Sequence, residues 1–132
     1  MRARPVSGQP DPVNPLRCVI VDDDPFFLEA AQALLEADGL TVAGTASTRA
    51  DAAARVNALC PDLVLIDIRL GEDSGFNVAR DLAAGGSLAV LIMISTYAED
   101  DYADLLAESP VIGFLPKAEL SGKAIHLILS RS

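Results

Sequence analysis

The chain has 132 residues, 51% of them hydrophobic, 22% charged and 5% aromatic, with no tryptophan. That composition describes one globular domain with an aliphatic core, able to bury roughly two thirds of its unfolded surface without a disulfide or metal staple. Ten basic against nineteen acidic residues give a formal charge of −9, a sign that opposes nucleic-acid and membrane-surface binding and suits a cation where carboxylates converge.

Met1 to Pro15 carries Arg2, Arg4 and Pro5, Pro10, Pro12 and Pro15 but no apolar stretch, so it is no secretory signal; residues 1–15 are expected to be a disordered leader and residues 16–132 the folded domain. Cys18-Val19-Ile20-Val21 is a short run rich in β-branched residues and predicts a strand. Asp24 before Pro25 reads as an N-cap followed by Pro at the first helical position. The helix it opens, Pro25 to Ala37, places Phe27, Leu28, Ala31, Leu34 and Leu35 at helical spacing and stops at Gly39. Thr41 to Ala46 is a weaker strand, expected near an edge. Thr48 to Leu59 is an alanine-rich helix with Thr48 and Asp51 in an approximate capping box. Leu63-Val64-Leu65-Ile66 is the next apolar strand, and Phe76 to Ala84 a short helix ending at Gly85-Gly86. Val90 to Ile94 is a third strand; the whole apolar run, Leu88 to Ile94, is far shorter than the ~20 residues of a membrane span. Glu99 to Glu108 predicts a fourth helix, with Tyr102, Leu105 and Leu106 on one side and Asp100, Asp101 and Asp104 elsewhere. Val111 to Leu115 is a second edge strand, and Ser121 to Ser130 a last helix with Ile125, Leu127, Ile128 and Leu129.

Continuous apolarity, rather than alternation, means that both faces of the central strands are covered. Five strand–helix repeats joined by right-handed crossovers give an α/β fold: an open, doubly wound, five-stranded parallel sheet with helices on both faces. Cys18 and Cys60 are too few for a disulfide framework and are read as small buried thiols of a reducing cytoplasm. His126 is read as a helix-face residue.

In such a sheet the ligand crevice lies outside the carboxyl ends of the strands. Asp22-Asp23-Asp24 follow the first strand, Asp67 the middle one, Ser95 and Thr96 the next, and Lys117 the last. Asp22 and Asp23 opposite Asp67 would repel strongly without a divalent cation, and two carboxylates, a backbone carbonyl and waters form the oxygen set that Mg²⁺ prefers. Lys117 is placed to pair with Asp67 and then to meet a phosphoryl oxygen, with Ser95 as a hydroxyl donor. These are parts for holding a transferring phosphoryl group, with a carboxylate as nucleophile. Taken singly, Asp24 is a helix cap, Asp67 a turn former, and Ser95 and Lys117 solvated strand ends. Their coincidence on one rim carries the functional reading.

The residues resemble the receiver domain of bacterial two-component response regulators from about Leu16 to Ser130. Val21-Asp22-Asp23-Asp24-Pro25 is similar to the family's acidic-pair segment, and Pro61 to Asp67 to the segment ending in its phosphoacceptor. Gly75, eight residues beyond Asp67, matches the glycine before the third helix. Ser95 stands where the family has Thr or Ser, and Phe114-Leu115-Pro116-Lys117 matches its last-strand aromatic and lysine. The resemblance implies a flavodoxin-like fold and a sensor histidine kinase or phosphotransfer protein that phosphorylates Asp67. It implies Mg²⁺ held by Asp23, Asp67 and the Arg69 carbonyl, with Asp22 acting through a metal-bound water. Ser95 and Lys117 would then meet the phosphoryl group, Phe114 would turn inward, and the fourth helix, last strand and last helix would signal to a partner or output domain. Arg69 and Tyr97 flank the site, and their bulk is expected to hinder the attacking water and lengthen the phosphorylated state. Gly71 stands where the family usually has proline, which implies a more flexible loop after Asp67. Pro116 and Ala118 around Lys117 are further departures.

Two other classes fit parts of the pattern. Asp22-Asp23-Asp24 after a strand is also similar to the nucleophile motif of haloacid-dehalogenase-like phosphohydrolases, which need further acids after the lysine; here only Glu119 follows. The other is a receiver-shaped interaction module that is never phosphorylated. The domain itself is expected not to be an enzyme. Asp100, Asp101 and Asp104 form most simply a solvated face; with Lys123 and Arg131 they leave a homodimer contact through the fourth helix, last strand and last helix as the alternative.

Overall fold

The chain alternates strands and helices in the order β1 (Arg17–Val21), α1 (Pro25–Ala37), β2 (Thr41–Ala46), α2 (Arg49–Leu59), β3 (Leu63–Asp67), β4 (Arg69–Leu70), β5 (Asp73–Ser74), α3 (Gly75–Ala84), β6 (Val90–Ser95), α4 (Ala103–Glu108), β7 (Gly113–Pro116) and α5 (Gly122–Arg131). The structure, a computed structural model, describes residues 15–97 and 99–131, and the side chains of all of these except Glu99 and Asp100. The expected leader, apart from Pro15, therefore lies outside the described residues, and the Asp100 side chain of the acidic face outside the described side chains.

Five strands form one sheet in the order β2-β1-β3-β6-β7, every pair parallel. Chain order reverses between β1 and β3, so a crevice opens at their carboxyl ends. Side chains alternate between two cores. Val19, Val21, Val64, Ile66, Leu91 and Met93 pack with α2 and α3 on one face. Cys18, Ile20, Leu63, Leu65, Ile92 and Ile94 pack with α1 and α5 on the other. Burial on both faces is why these runs carry no polar interruption.

Helix ends follow the sequence closely. Asp24 accepts a hydrogen bond from the Phe26 N–H at 3.0 Å, and Thr48 from the Asp51 N–H at 3.0 Å, so both caps satisfy orphan donors. The weaker strands, β2 and β7, are the edges, as expected.

Four readings need correction. The fourth helix is broken into a 3-10 turn over Glu99–Tyr102 and the six-residue α4. Tyr102 turns its ring toward Phe76, 6.4 Å between centroids, and the helix that follows has no side-chain cap. Leu105, expected on the apolar side, is 48% exposed. The last strand begins at Gly113, because Val111 and Ile112 are still leaving the Ser109-Pro110 turn; it runs on to Pro116, whose missing N–H an edge strand tolerates. Finally, Cys18 is buried and its thiol is pushed up to about 12 by burial and then by Glu36. Cys60 instead caps α2 in a left-handed conformation (φ 47°) and is exposed.

Candidate phosphoacceptor and cation site

Register brings the rim residues together. Asp67 ends β3 opposite Ile94, Ser95 ends β6 opposite Pro116, and Lys117 follows Pro116 directly. Asp22 is the first residue past β1, tied by its own N–H to the Ala46 carbonyl at 2.9 Å. Each functional group is thus the last or next residue of a rigid strand, which fixes it better than a loop could.

Asp22 is fully buried and Asp67 nearly so, whereas Asp23 is exposed. Each of the three offers a carboxylate oxygen, and these oxygens lie within 4.8 Å of one another. Lys117 Nζ stands 2.6 Å from Asp22 Oδ2 and 3.3 Å from Asp67 Oδ2, so the lysine sits closer to the acidic pair than to the expected Asp67. The partner of the buried Asp22 Oδ2 is thus the Lys117 ammonium. The other Asp22 oxygen accepts the Asp24 N–H at 2.9 Å. Asp67 Oδ1 receives only a long contact from the Arg69 N–H, 3.4 Å.

Burial, and next the Asp22 charge, push the Asp67 carboxyl up to about 6, against the smaller opposing pull of Lys117. For Lys117 burial acts to lower the pKa, but Asp22 and Asp67 outweigh it and hold the ammonium above its ordinary value. One ammonium among three carboxylates leaves excess negative charge. With three carboxylate oxygens within 4.8 Å of one another and a single ammonium shared between two of the acids, the donor set fits a divalent cation such as Mg²⁺.

Ser95 is buried, and its Oγ accepts the Tyr97 N–H at 2.9 Å, which leaves the hydroxyl proton to donate elsewhere. Phe114 is half-buried against the α2–α3 core. Arg69 lies with its guanidinium carbon 4.9 Å over the Tyr97 ring, so the two residues expected to flank the site also touch each other. Pro116 and Ala118 leave Lys117 aimed at the acids. Gly71 is not a loose loop residue: it is the first central residue of a two-residue turn that closes the antiparallel β4–β5 ladder. Its φ of +60° is the one the II′ class of hairpin requires at that place.

Two contributors escaped the sequence reading. Phe27, read only as part of the α1 apolar stripe, places its ring 4.4 Å from Lys117 Nζ. A helix that starts immediately after the acidic segment must overhang the rim with its first turn, and that is the available signal. The Gly71 N–H donates to Asp23 Oδ2 at 2.9 Å, a backbone contact with no side-chain signature. Glu119 is exposed on the turn after Lys117, and the described residues offer no acids beyond Asp22, Asp23 and Asp67 for a phosphohydrolase metal site. His126 is exposed on α5 as expected. An open groove of about 890 Å³ between α2 and α3, lined in part by Asn57, Cys60, Asp62, Asp81 and Leu88, lies toward the opposite rim and contains none of the site residues.

The profile of one protein family, described as the response regulator receiver domain, matches residues 18–128. The chain is 33% identical over 89 residues to a protein-glutamate methylesterase/protein-glutamine glutaminase of Myxococcus xanthus, covering 67% of this chain and 26% of that protein. It is 30% identical over 103 residues to the transcriptional regulatory protein YvfU of Bacillus subtilis, covering 77% and 52% respectively. The fold matches the signal receiver domain of NarL from Mycobacterium tuberculosis with a TM-score of 0.78 at 25% identity, over 89% of this chain and 95% of that one. The chain thus spans between a quarter and a half of the length of these curated relatives.

Proposed function

The chain belongs to the response regulator receiver domain family, and from that premise we propose that Asp67 is its phosphoacceptor. The donor is a sensor histidine kinase or a phosphotransfer protein. An Asp67 carboxylate oxygen attacks phosphorus, the donor's N–P bond breaks as the O–P bond forms, and the released electron pair and a proton end on the donor imidazole. Bound Mg²⁺, held by Asp22, Asp23, Asp67 and the Arg69 carbonyl, would neutralise charge on the transferring group. Lys117 and the Ser95 hydroxyl take the other phosphoryl oxygens, as point charge and hydrogen-bond donor. The observation that carries this reading is the placement of Asp67: buried, next to Lys117, and within one oxygen cluster with Asp22 and Asp23.

The acyl phosphate adds roughly −1.5 to −2 of charge to the rim. Ser95 is drawn to it and Phe114 packs further inward, so the face formed by α4, β7 and α5 changes and signals to a partner, an output domain or a second copy. Leu105, Ile112 and Leu127 already stand exposed there. In this reading residues 16–132 form the receiver domain, working in the cytoplasm beside its kinase. No described helix is long and apolar enough to cross a membrane. The enzyme activity named for the Myxococcus relative belongs to a protein of which this chain matches 26%.

The deciding experiment treats the protein with Mg²⁺ and a small acyl phosphate or phosphoramidate and measures intact mass. Wild type gains one phosphoryl group and Asp67→Asn gains none. Equal labelling of both, or of neither, overturns the assignment.

A further inference from the structure

Of the three clustered carboxylates, two are fixed by burial: Asp22 behind β1, and Asp67 at the end of β3. Asp23 is exposed, and an exposed aspartate is ordinarily free to swing into water. Here it is not. Its Oδ2 accepts a 2.9 Å hydrogen bond from the main-chain N–H of Gly71, 48 residues further along the chain, the one hydrogen bond its side chain makes among the described residues.

Gly71 can donate in that direction because of its conformation. It opens the two-residue turn between β4 and β5 at φ +60°, and the ladder pairs Leu70 with Asp73 and Arg69 with Ser74 on either side. Space does not demand glycine: a Cβ would lie 3.8 Å from Asp23 Oδ2, ordinary contact. Conformation and the N–H do. Proline could supply neither, whereas asparagine, strained at this φ, is among the side chains that reach it most readily and keeps its N–H.

We infer that Gly71 is a positioning residue: its N–H fixes the exposed carboxylate of the trio through Oδ2 and leaves Oδ1 to face a divalent cation. The hairpin tip thereby ties the segment after Asp67 to the segment after β1 before any ion arrives. The same bond removes part of the negative charge that three close carboxylates would otherwise set against one another. The inference deepens the cation reading given above and rests on it.

The test is Mg²⁺ binding by calorimetry to wild type, Gly71→Asn and Gly71→Pro. Gly71→Pro should bind about tenfold more weakly, the scale of one hydrogen bond to a charged acceptor, and Gly71→Asn within about twofold of wild type. Because proline also disturbs the turn, a second measurement reads the bond in the unaltered hairpin. In Asp23→Ala, without Mg²⁺, the Gly71 amide proton should move upfield and exchange faster with solvent. Wild-type affinity in Gly71→Pro, an Asn variant as weak as the Pro variant, or a Gly71 amide indifferent to Asp23→Ala would each overturn the role. Failure of wild type to bind Mg²⁺ at all would instead overturn the cation reading, and this role with it, while the amide response still reports the bond.

Discussion

Asp67 is a carboxylate held where its charge is disfavoured, and this has two separable consequences. Its folded pKa, about 6, lies above the ordinary carboxylate value, first through burial and then through Asp22. A group of that kind contributes stability that is present below the unfolded pKa and lost as pH rises through the folded one. In metal-free protein, Asp67→Asn should therefore be more stable than wild type by up to about 3 kcal/mol near neutral pH, the scale of a shift of this size. The gap should narrow to about a third as pH falls from 7 to 4.5; denaturant unfolding at both ends measures it, and a gap that widens on acidification would count against the assignment. Labelling by a small phosphodonor runs the other way, because the nucleophile must be ionised, and falls below about pH 6. Under the proposed function Arg69 and Tyr97 would act on the product instead. Their cation–π contact makes a cover beside the site, and such a pair at an exposed position is worth about 0.5–1 kcal/mol. Loss of the acyl phosphate should quicken about two- to fivefold in Tyr97→Ala, and equal decay rates in the two proteins would remove the cover from the argument.

The end of β3 and the start of α3 are pressed together at Gly75, whose N–H bonds the Ile68 carbonyl at 2.7 Å. A Cβ there would overlap the Asp67 carbonyl oxygen, so the helix can approach the strand end only with glycine. Gly75→Ala should destabilise the domain by about 1–3 kcal/mol and slow labelling of Asp67 in the molecules that remain folded. Unfolding midpoints and labelling rates check the two parts separately, and a variant of wild-type stability would show that the contact relaxes freely. At this scale the sequence is most legible where one strong signal dominates. The run Leu63 to Ile66, apolar without a break, announces a strand covered on both faces, and Asp24-Pro25 announces a helix start. Legibility fails where geometry depends on backbone alone. The β4–β5 ladder is two residues a side, too short for any periodicity, and it turns Gly71 from an expected loose residue into an anchor for Asp23. It fails again at Glu99 to Glu108, where the pull of Tyr102 toward Phe76 breaks a pattern that reads as one helix. Phe27 shows the third kind of loss: an aromatic at helical spacing looks the same whether its ring faces the core or a lysine.

Across the molecule, packing is uneven, and the unevenness points from the site to one surface. α3 buries Phe76, Val78, Ala79 and Leu82, and α1 and α5 each bury at least two residues, but α4 buries none. It is six residues long, uncapped by a side chain, and anchored mainly through Leu106 and, just before it, Tyr102, both half-buried against the α2–α3 core. Local opening is least costly where few apolar contacts are lost, so α4 is the element whose equilibrium a small event can move. The event is near at hand. Ser95 sits between Asp67 and the segment that leads into α4, and its Oγ holds the Tyr97 N–H. Drawing the Ser95 side chain toward a phosphoryl group would strain or break that bond at the root of the segment, and β7, paired with β6 through Met93 and Phe114, would feel the same displacement. Hydrogen exchange should therefore find the amides of Ala103 to Glu108 the fastest among the five helices in unphosphorylated protein. Phosphorylation of Asp67 should change protection by at least severalfold there and around Phe114, and leave the centres of α1 and α3 within the scatter of the measurement. Ser95→Ala, labelled to the same extent, should lose most of that change. A response spread evenly over all five helices would mean that the charge acts on the whole sheet and not through this loosely held element.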